Sequence, residues 1–193
     1  MNKQTTTLKE LLIKTRSIRR FDPEVRISGQ ELEDLVSYAV LCPCGGNYQP
    51  LRYLCVSDRS TCEKIFPHLK WAARLGGWQP SEAEQPAAYI LILIDREIAQ
   101  NAPYDSGIAA HAILMAAAEE GIAGCMLGNV NRKETAALLG IDTEKYVIDL
   151  CVALGKAAEV SEIVEMKEDS CYYRNENGVF CVPKQSAPSV ILN

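Results

Sequence analysis

The run Ala88-Tyr-Ile-Leu-Ile-Leu-Ile94 decides the fold class, because it predicts a β-strand that is buried on both faces. Apolar and polar residues do not alternate in it, which is typical of a strand covered by helices on either side. Two other β-rich runs, 52–57 and 146–154, predict further strands of the same sheet. Helix signals and strand signals are mixed along the chain. The sequence therefore predicts a layered α/β or α+β domain.

Helix starts are indicated by a Ser, Thr or Asn side chain followed three residues later by a carboxylate, the pattern of a capping box. The three pairs are Thr7 with Glu10, Ser28 with Glu31, and Asn131 with Glu134. A further helix, 105–121, is apolar on nearly every side, which predicts burial in a core or against a partner subunit. Asn177-Gly178 predicts the turn of a hairpin over 172–182.

Composition bounds the class of protein. A chain of 193 residues with 48% hydrophobic residues predicts one globular domain spanning 1–193. The net charge of −5 argues against a nucleic-acid-binding domain and against a basic membrane-binding patch. The apolar run 108–118 is too short to span a bilayer, so no membrane partner is predicted.

The eight cysteines point to a reduced, cytoplasmic protein rather than to a disulfide framework. The first ten residues lack the apolar core of a signal peptide, and several cysteines lie inside apolar runs, where a thiol behaves as a small core residue. Two histidines and the absence of a Cys-x-x-Cys pair give a zinc site little support, so no metal is predicted.

Three segments have residue types suited to binding a ligand. Residues 16–21, Arg-Ser-Ile-Arg-Arg-Phe, combine guanidinium forks with a hydroxyl, which suits a phosphate monoester. Residues 41–50, Leu-Cys-Pro-Cys-Gly-Gly-Asn-Tyr-Gln-Pro, form a loop that could contact the edge of a heterocycle, and 121–129 place small residues after a buried helix. Each also has a purely structural explanation: cations at a helix C-terminus, a helix-to-strand connection and a tight crossover.

Taken together and in this order, the three segments resemble the FMN-dependent nitroreductase family. Val152-Ala-Leu-Gly-Lys156 and Val182-Pro-Lys184 add to the resemblance, which extends from about Leu8 to Lys184. It implies a three-layer α-β-α sandwich with a central mixed or antiparallel sheet. It also implies a homodimer that holds FMN in two interface clefts, with the C-terminal arm 179–193 exchanged between subunits and a variable substrate-side insertion at 60–86.

The resemblance implies a set of flavin-binding positions. They are Arg16, Ser17 and Arg19 at the phosphate and the pyrimidine edge; Pro43, Cys44, Gly45 and Asn47 at the isoalloxazine, partly from the second subunit; Leu127, Gly128 and Asn129 near N5; and Lys184 at the phosphate. Four positions depart from the family pattern. Thr15 and Gln185 stand where many members have arginine, Cys44 replaces a common serine, and Leu51 replaces a frequent tryptophan.

The resemblance further implies hydride transfer from NADH or NADPH through flavin N5 to a small, aromatic or quinone-like acceptor by a ping-pong mechanism. Arg19 is expected to stabilise the charge of the reduced flavin, and no protein acid is expected to take part. Trp71 and Trp78 could face the acceptor, although ordinary packing explains them as well. Two alternatives remain: a flavin-binding storage or sensor protein without efficient turnover, and a thiol-redox pair at Cys42 and Cys44.

Overall fold

A four-stranded antiparallel sheet lies at the centre of the structure, a computed structural model that describes residues 7–192. Its strands are β1 (Leu51–Val56), β2 (Ala88–Asp95), β3 (Ala123–Leu127) and β4 (Tyr146–Gly155), in the spatial order β1-β2-β4-β3. The helices are α1 (Leu8–Lys14), α2 (Gly29–Ala39), α3 (Arg59–Ile65), α4 (Asp105–Glu119) and α5 (Arg132–Leu139). A smaller sheet follows, with β5 (Ser161–Glu165), β6 (Tyr173–Arg174) and β7 (Phe180–Lys184) in the order β5-β7-β6.

Strand β2 is buried along its whole length, as its unalternating sequence predicted. Ile90 and Ile92 pack into a core shared with α2 and α4, whereas Tyr89, Leu91 and Leu93 pack on the opposite side into a core shared with α3 and α5. Successive side chains of a strand point to opposite faces, so one apolar run supplies both cores. The resulting three-layer arrangement of helices, sheet and helices confirms the predicted architecture.

The helix starts follow the predicted caps. The side chains of Thr7 and Ser28 each accept from the backbone N–H of the glutamate three residues later. The carboxylate of that glutamate accepts in turn from the backbone N–H of the cap residue. At Asn131 only one half of this device forms, since its side chain accepts from the Glu134 N–H at 3.4 Å.

Helix α4 is buried on one side and open on the other. Ala110, Ile113 and Ala117 are fully buried beneath the sheet, but Ile108 is 39% and Tyr104 77% exposed. Within one chain, therefore, the core does not cover the helix on every side. Among residues 7–192 no helix combines the length and the apolar character that crossing a bilayer requires.

The predicted hairpin forms between β6 and β7, with Gly178 at φ 76° in the turn. Strand β7 also pairs in parallel with β5, so residues 180–184 of the predicted arm belong to a sheet of their own chain. Phe180 and Cys181 are buried there. Beyond this strand the chain runs over the surface, and Val190, Ile191 and Leu192 are 54%, 61% and 97% exposed.

Candidate functional site

A cavity of about 370 Å³ lies between the end of α1, the middle of α4 and the small C-terminal sheet. It brings together Arg16, Ser17, Arg19 and Lys184, four of the predicted flavin-binding residues. The other lining residues are Thr15, His111, Leu114, Met126, Tyr172, Phe180 and Val182. The cavity therefore has cationic and hydroxyl groups on one part of its wall and apolar and aromatic groups on another.

The segment 16–19 is held against the exposed edge of β3. Ser17 forms a parallel bridge with Gly124, and the Ile18 N–H donates to the Gly124 carbonyl at 3.0 Å. Gly124 itself packs tightly against β4, because an added Cβ would lie 2.2 Å from the Ala153 carbonyl oxygen, where no side chain fits. Sequence segments that are 107 positions apart are thus joined by backbone hydrogen bonds.

Arg16 is half-buried at the C-terminal end of α1. Its Nη2 donates to the Leu12 carbonyl at 2.6 Å, whereas its buried Nε has no hydrogen-bond partner among the described residues. Burial lowers the pKa of the Arg16 guanidinium, although an arginine remains charged at neutral pH. An unsatisfied, desolvated donor on a charged side chain is costly unless an anion satisfies it.

Arg19 lies over two aromatic rings. Its guanidinium carbon is 5.2 Å from the centre of the Tyr172 ring and 5.4 Å from that of Phe180, within the range of cation–π contacts. Its Nη1 donates to the Ser17 carbonyl at 3.3 Å. Aromatic side chains of the C-terminal hairpin therefore contact the Arg19 guanidinium and hold it in position.

The loop 43–47 lies at the other end of α4, outside this cavity. The Cys44 thiol donates to Oδ2 of Asp105 at 3.1 Å, and the Gly45 N–H donates to Oδ1 at 3.1 Å. Asp105 precedes His111 and Leu114 by six to nine helical positions, a separation of roughly 9–14 Å along the axis. Within one chain, the fold therefore keeps the predicted loop residues apart from Arg16 and Arg19. These loop residues are Pro43, Cys44, Gly45 and Asn47.

The hydrogen bond to Asp105 raises the pKa of the Cys44 thiol, because ionisation would place two anions side by side. The thiol accepts from the Gln49 N–H at 3.2 Å as well, so it joins the loop to the start of α4. A protonated thiol is a poor nucleophile. The geometry consequently favours a holding role for Cys44 over the thiol-redox alternative.

Two predicted groups lie apart from the cavity. Leu127 is buried in the core, and Gly128 and Asn129 are exposed at the far end of β3, where the Asn129 carbonyl accepts from the Lys70 N–H at 3.0 Å. Trp71 is 3% exposed and packs against Phe66 with ring centres 5.8 Å apart.

The burial of Trp71 in the core beside α3 agrees with ordinary packing, the second of the two explanations that the sequence left open for this residue. Trp78 is half-buried, and the guanidinium of Arg174 lies 5.7 Å from its ring centre. Neither tryptophan lines the cavity that holds Arg16.

Sequence reasoning missed most of the apolar wall. His111, Leu114 and Met126 come from α4 and β3, and Tyr172, Phe180 and Val182 from the C-terminal hairpin. The hairpin signal at Asn177-Gly178 placed the last three residues near one another. No local pattern related them to Arg16.

Comparison with known proteins decides the family. The model of the nitroreductase family matches residues 12–156, about three quarters of the chain. The chain belongs to this family. It is 22% identical over 197 residues to a Bacillus subtilis protein named as an NAD(P)H nitroreductase, and the match covers 81% of this chain and 91% of the relative.

Solved structures of the nitroreductase family share the fold. A nitroreductase from Exiguobacterium sibiricum in complex with FMN has a TM-score of 0.64 at 19% identity, covering 82% of this chain and 92% of that one. An enone reductase of gut-bacterial fatty acid saturation has a TM-score of 0.66 at 17% identity, covering 86% and 95%. At these identities the likeness shows a common architecture.

Proposed function

We propose that this protein is an FMN-dependent oxidoreductase that passes hydride from NADH or NADPH through flavin N5 to a small, aromatic or quinone-like acceptor. The two half-reactions would share one place on the flavin, which gives a ping-pong mechanism. The Bacillus relative named for NAD(P)H and the FMN complex of the Exiguobacterium protein support the choice of donor and cofactor.

The cationic cavity carries the proposal. Arg16, Arg19 and Lys184 offer positive charge, and Ser17 offers a hydroxyl, around one space of about 370 Å³. These groups fit the phosphate and the polar ring edge of FMN, because guanidinium forks bind phosphate through paired, charge-assisted hydrogen bonds. The unsatisfied Arg16 Nε independently fits an anionic ligand.

Bound flavin supplies the two-electron chemistry, and the residues of this chain supply binding and electrostatics. Arg19 is the residue proposed to stabilise negative charge on the reduced ring system. Its guanidinium is fixed over Tyr172 and Phe180 and therefore needs little reorganisation when charge develops. Leu114 and Met126 would exclude water from the apolar part of the cavity.

A homodimer is part of the proposal, because one chain does not bring the loop 43–47 to the cavity. Tyr104, Ile108, His111 and Met115 are spaced by four, three and four residues and so form one stripe on the outer side of α4. His111 belongs both to this stripe and to the cavity wall. A twofold partner packed on the stripe would place its own Cys44 loop beside the flavin, and the exposed 190–192 segment would serve as the exchanged part of the arm.

Anaerobic reduction tests the function. The purified protein, reconstituted with FMN, is mixed with NADH or NADPH under argon, and the visible flavin absorbance is followed. We expect prompt bleaching, and recovery of the colour when a quinone or nitroaromatic is added. Tight FMN binding without bleaching would instead indicate a storage or sensor protein, and failure to bind FMN would remove the proposal altogether.

Cys44→Ser is expected to retain FMN and NAD(P)H oxidation within about twofold, because a hydroxyl can donate to Asp105 as the thiol does. The measurement is steady-state turnover together with flavin content. If Cys44→Ser or Cys42→Ala abolishes turnover while flavin stays bound, thiol chemistry takes part after all.

Ile108→Glu is expected to weaken the dimer and to lower FMN content, since it places a charge on the apolar stripe of α4. Sedimentation velocity over a range of protein concentrations measures the association. Leu138→Glu is the matched control, because Leu138 is a helical residue of similar exposure, 37% against 39%, on α5 across the sheet. Equal behaviour of the two variants would argue against a dimer interface on α4.

A further inference from the structure

We infer that Glu159 is a positioning residue for the flavin site: its buried carboxylate holds the backbone of Arg19 and Arg20 and so fixes where the Arg19 guanidinium lies. The inference rests on the proposed function, since it concerns how the cationic segment is presented to FMN.

The Glu159 carboxylate receives three hydrogen bonds. Its Oε1 accepts from the N–H of Arg19 at 2.6 Å and from the N–H of Arg20 at 3.2 Å. Its Oε2 accepts from Nη2 of Arg174. The side chain is only 2% exposed, so water cannot replace these partners easily.

Glu159 lies at the end of a short antiparallel pairing between the site segment and the chain that leaves β4. The Asp22 N–H donates to the Lys156 carbonyl at 2.9 Å, and the Ala158 N–H donates to the Arg20 carbonyl at 2.8 Å. This backbone pairing ends at the Arg20 carbonyl. The N–H groups of Arg20 and Arg19 donate instead to the Glu159 side chain. It therefore acts where the segment turns from the main sheet toward the cavity.

Glu159 is connected to Arg19 in two ways, through the Arg19 backbone N–H and through Arg174, which shares the Phe180 ring with Arg19. The carboxylate holds Arg174, whose guanidinium lies 5.1 Å from the centre of the Phe180 ring. The guanidinium of Arg19 lies over the same ring at 5.4 Å. Backbone and side chain of Arg19 are thus both tied to one buried cluster, which limits the rotamers of a long, otherwise flexible side chain.

Removing the carboxylate leaves the N–H groups of Arg19 and Arg20 without their acceptor, whereas the Arg174 guanidinium keeps its hydrogen bond to the Gly178 carbonyl at 3.1 Å. The segment is then expected to move toward water, and the Arg19 guanidinium moves with it. The displaced segment also contains Arg16 and Ser17, which line the same cavity and are proposed to bind the phosphate, so binding of the phosphate-bearing ligand weakens more than binding of the bare ring system. The quantity that reports it is the phosphate selectivity, the ratio of the riboflavin dissociation constant to the FMN dissociation constant.

Phosphate selectivity is measured by fluorescence titration of apoprotein with FMN and with riboflavin. Because it is a ratio taken on the same folded protein, a general loss of stability does not change it. We expect Glu159→Ala to lower the ratio about tenfold, as for loss of one charge-assisted hydrogen bond. Glu159→Asp keeps the charge but withdraws it by one carbon–carbon bond, and about a threefold fall is expected.

Glu162→Ala is the matched control, since Glu162 is an exposed glutamate on the neighbouring strand β5, and its ratio should equal that of the unmodified protein. An unchanged ratio in Glu159→Ala overturns the inference, and Glu159→Asp decides in the same way if the alanine variant does not fold. An equal fall in Glu162→Ala also overturns it. If the unmodified protein binds no FMN, the proposed function itself fails and this inference falls with it.

Discussion

Arg19→Ala is expected to weaken FMN binding by about 1.5–3 kcal/mol, or roughly 10- to 150-fold, the range for losing hydrogen bonds to a charged group. Arg19 is one of the three cations that line the cavity, with Arg16 and Lys184. Its stacking on Tyr172 and Phe180 holds the guanidinium in place before any ligand arrives, so little of its binding energy is lost to ordering. Fluorescence titration of the apoprotein measures the change.

Arg20→Ala provides a matched comparison, because the neighbouring arginine faces away from the cavity. Its Nε donates to Oε1 of Glu84 at 2.5 Å, and the pair is partly exposed. Arg20→Ala should therefore leave the FMN dissociation constant within about twofold. If Arg20→Ala weakens FMN as much as Arg19→Ala does, the effect comes from disturbing the segment, and Arg19 has no direct contact with the cofactor.

Features that depend on a few neighbouring residues were predictable from the sequence. The reciprocal bonds of Thr7 with Glu10 and of Ser28 with Glu31 need only a side chain and a carboxylate one helical turn apart. The hairpin turn needs only a residue such as Gly178, which adopts a positive φ without strain. The run 88–94 revealed its burial because no polar residue interrupts it.

Features that depend on distant packing were not predictable in this way. Gly124 weakens the strand signal of β3 in the sequence. The structure requires glycine at this position, because a Cβ would clash with the Ala153 carbonyl oxygen of β4. Lys184 lines the same cavity as Arg16 because β7 pairs with β5 in the small sheet that borders this cavity. The sequence could not decide whether Trp71 faces an acceptor or packs in the core, because its burial depends on distant residues of α3 and α5.

The assignment of the site residues came from resemblance rather than from local chemistry. Arg16, Ser17, Arg19 and Lys184 share one cavity, whereas the 43–47 loop and 127–129 lie elsewhere in the chain. The proposed homodimer would bring together residues that are far apart within one subunit. Thr15, one of the positions that depart from the resembling pattern, also lines the cavity, and its hydroxyl donates to the Leu11 carbonyl at 2.7 Å.

Gly124→Ala is expected to cost about 3 kcal/mol of folding stability, at the upper end of the usual cost of overpacking. The added Cβ would lie 2.2 Å from the Ala153 carbonyl oxygen and 2.9 Å from Cδ2 of Leu114, and the backbone atom cannot move aside without breaking the pairing of β3 with β4. For a chain of this length the loss corresponds to a fall of roughly 6–12 °C in Tm. Thermal unfolding followed by circular dichroism measures it.

The same substitution should also reduce FMN affinity, because Gly124 holds the proposed flavin-binding segment through the Ile18 N–H and the bridge to Ser17. Gly29→Ala is the control: Gly29 begins α2, does not line the cavity, and its Cβ would meet only Oγ of Ser57 at 3.9 Å. That variant should unfold within about 2 °C of the unmodified protein and bind FMN equally well. A Gly124→Ala protein that stays as stable and as yellow as Gly29→Ala would show that β3 can shift away from β4. The edge of the sheet would then not be the rigid support on which Arg16 and Arg19 depend.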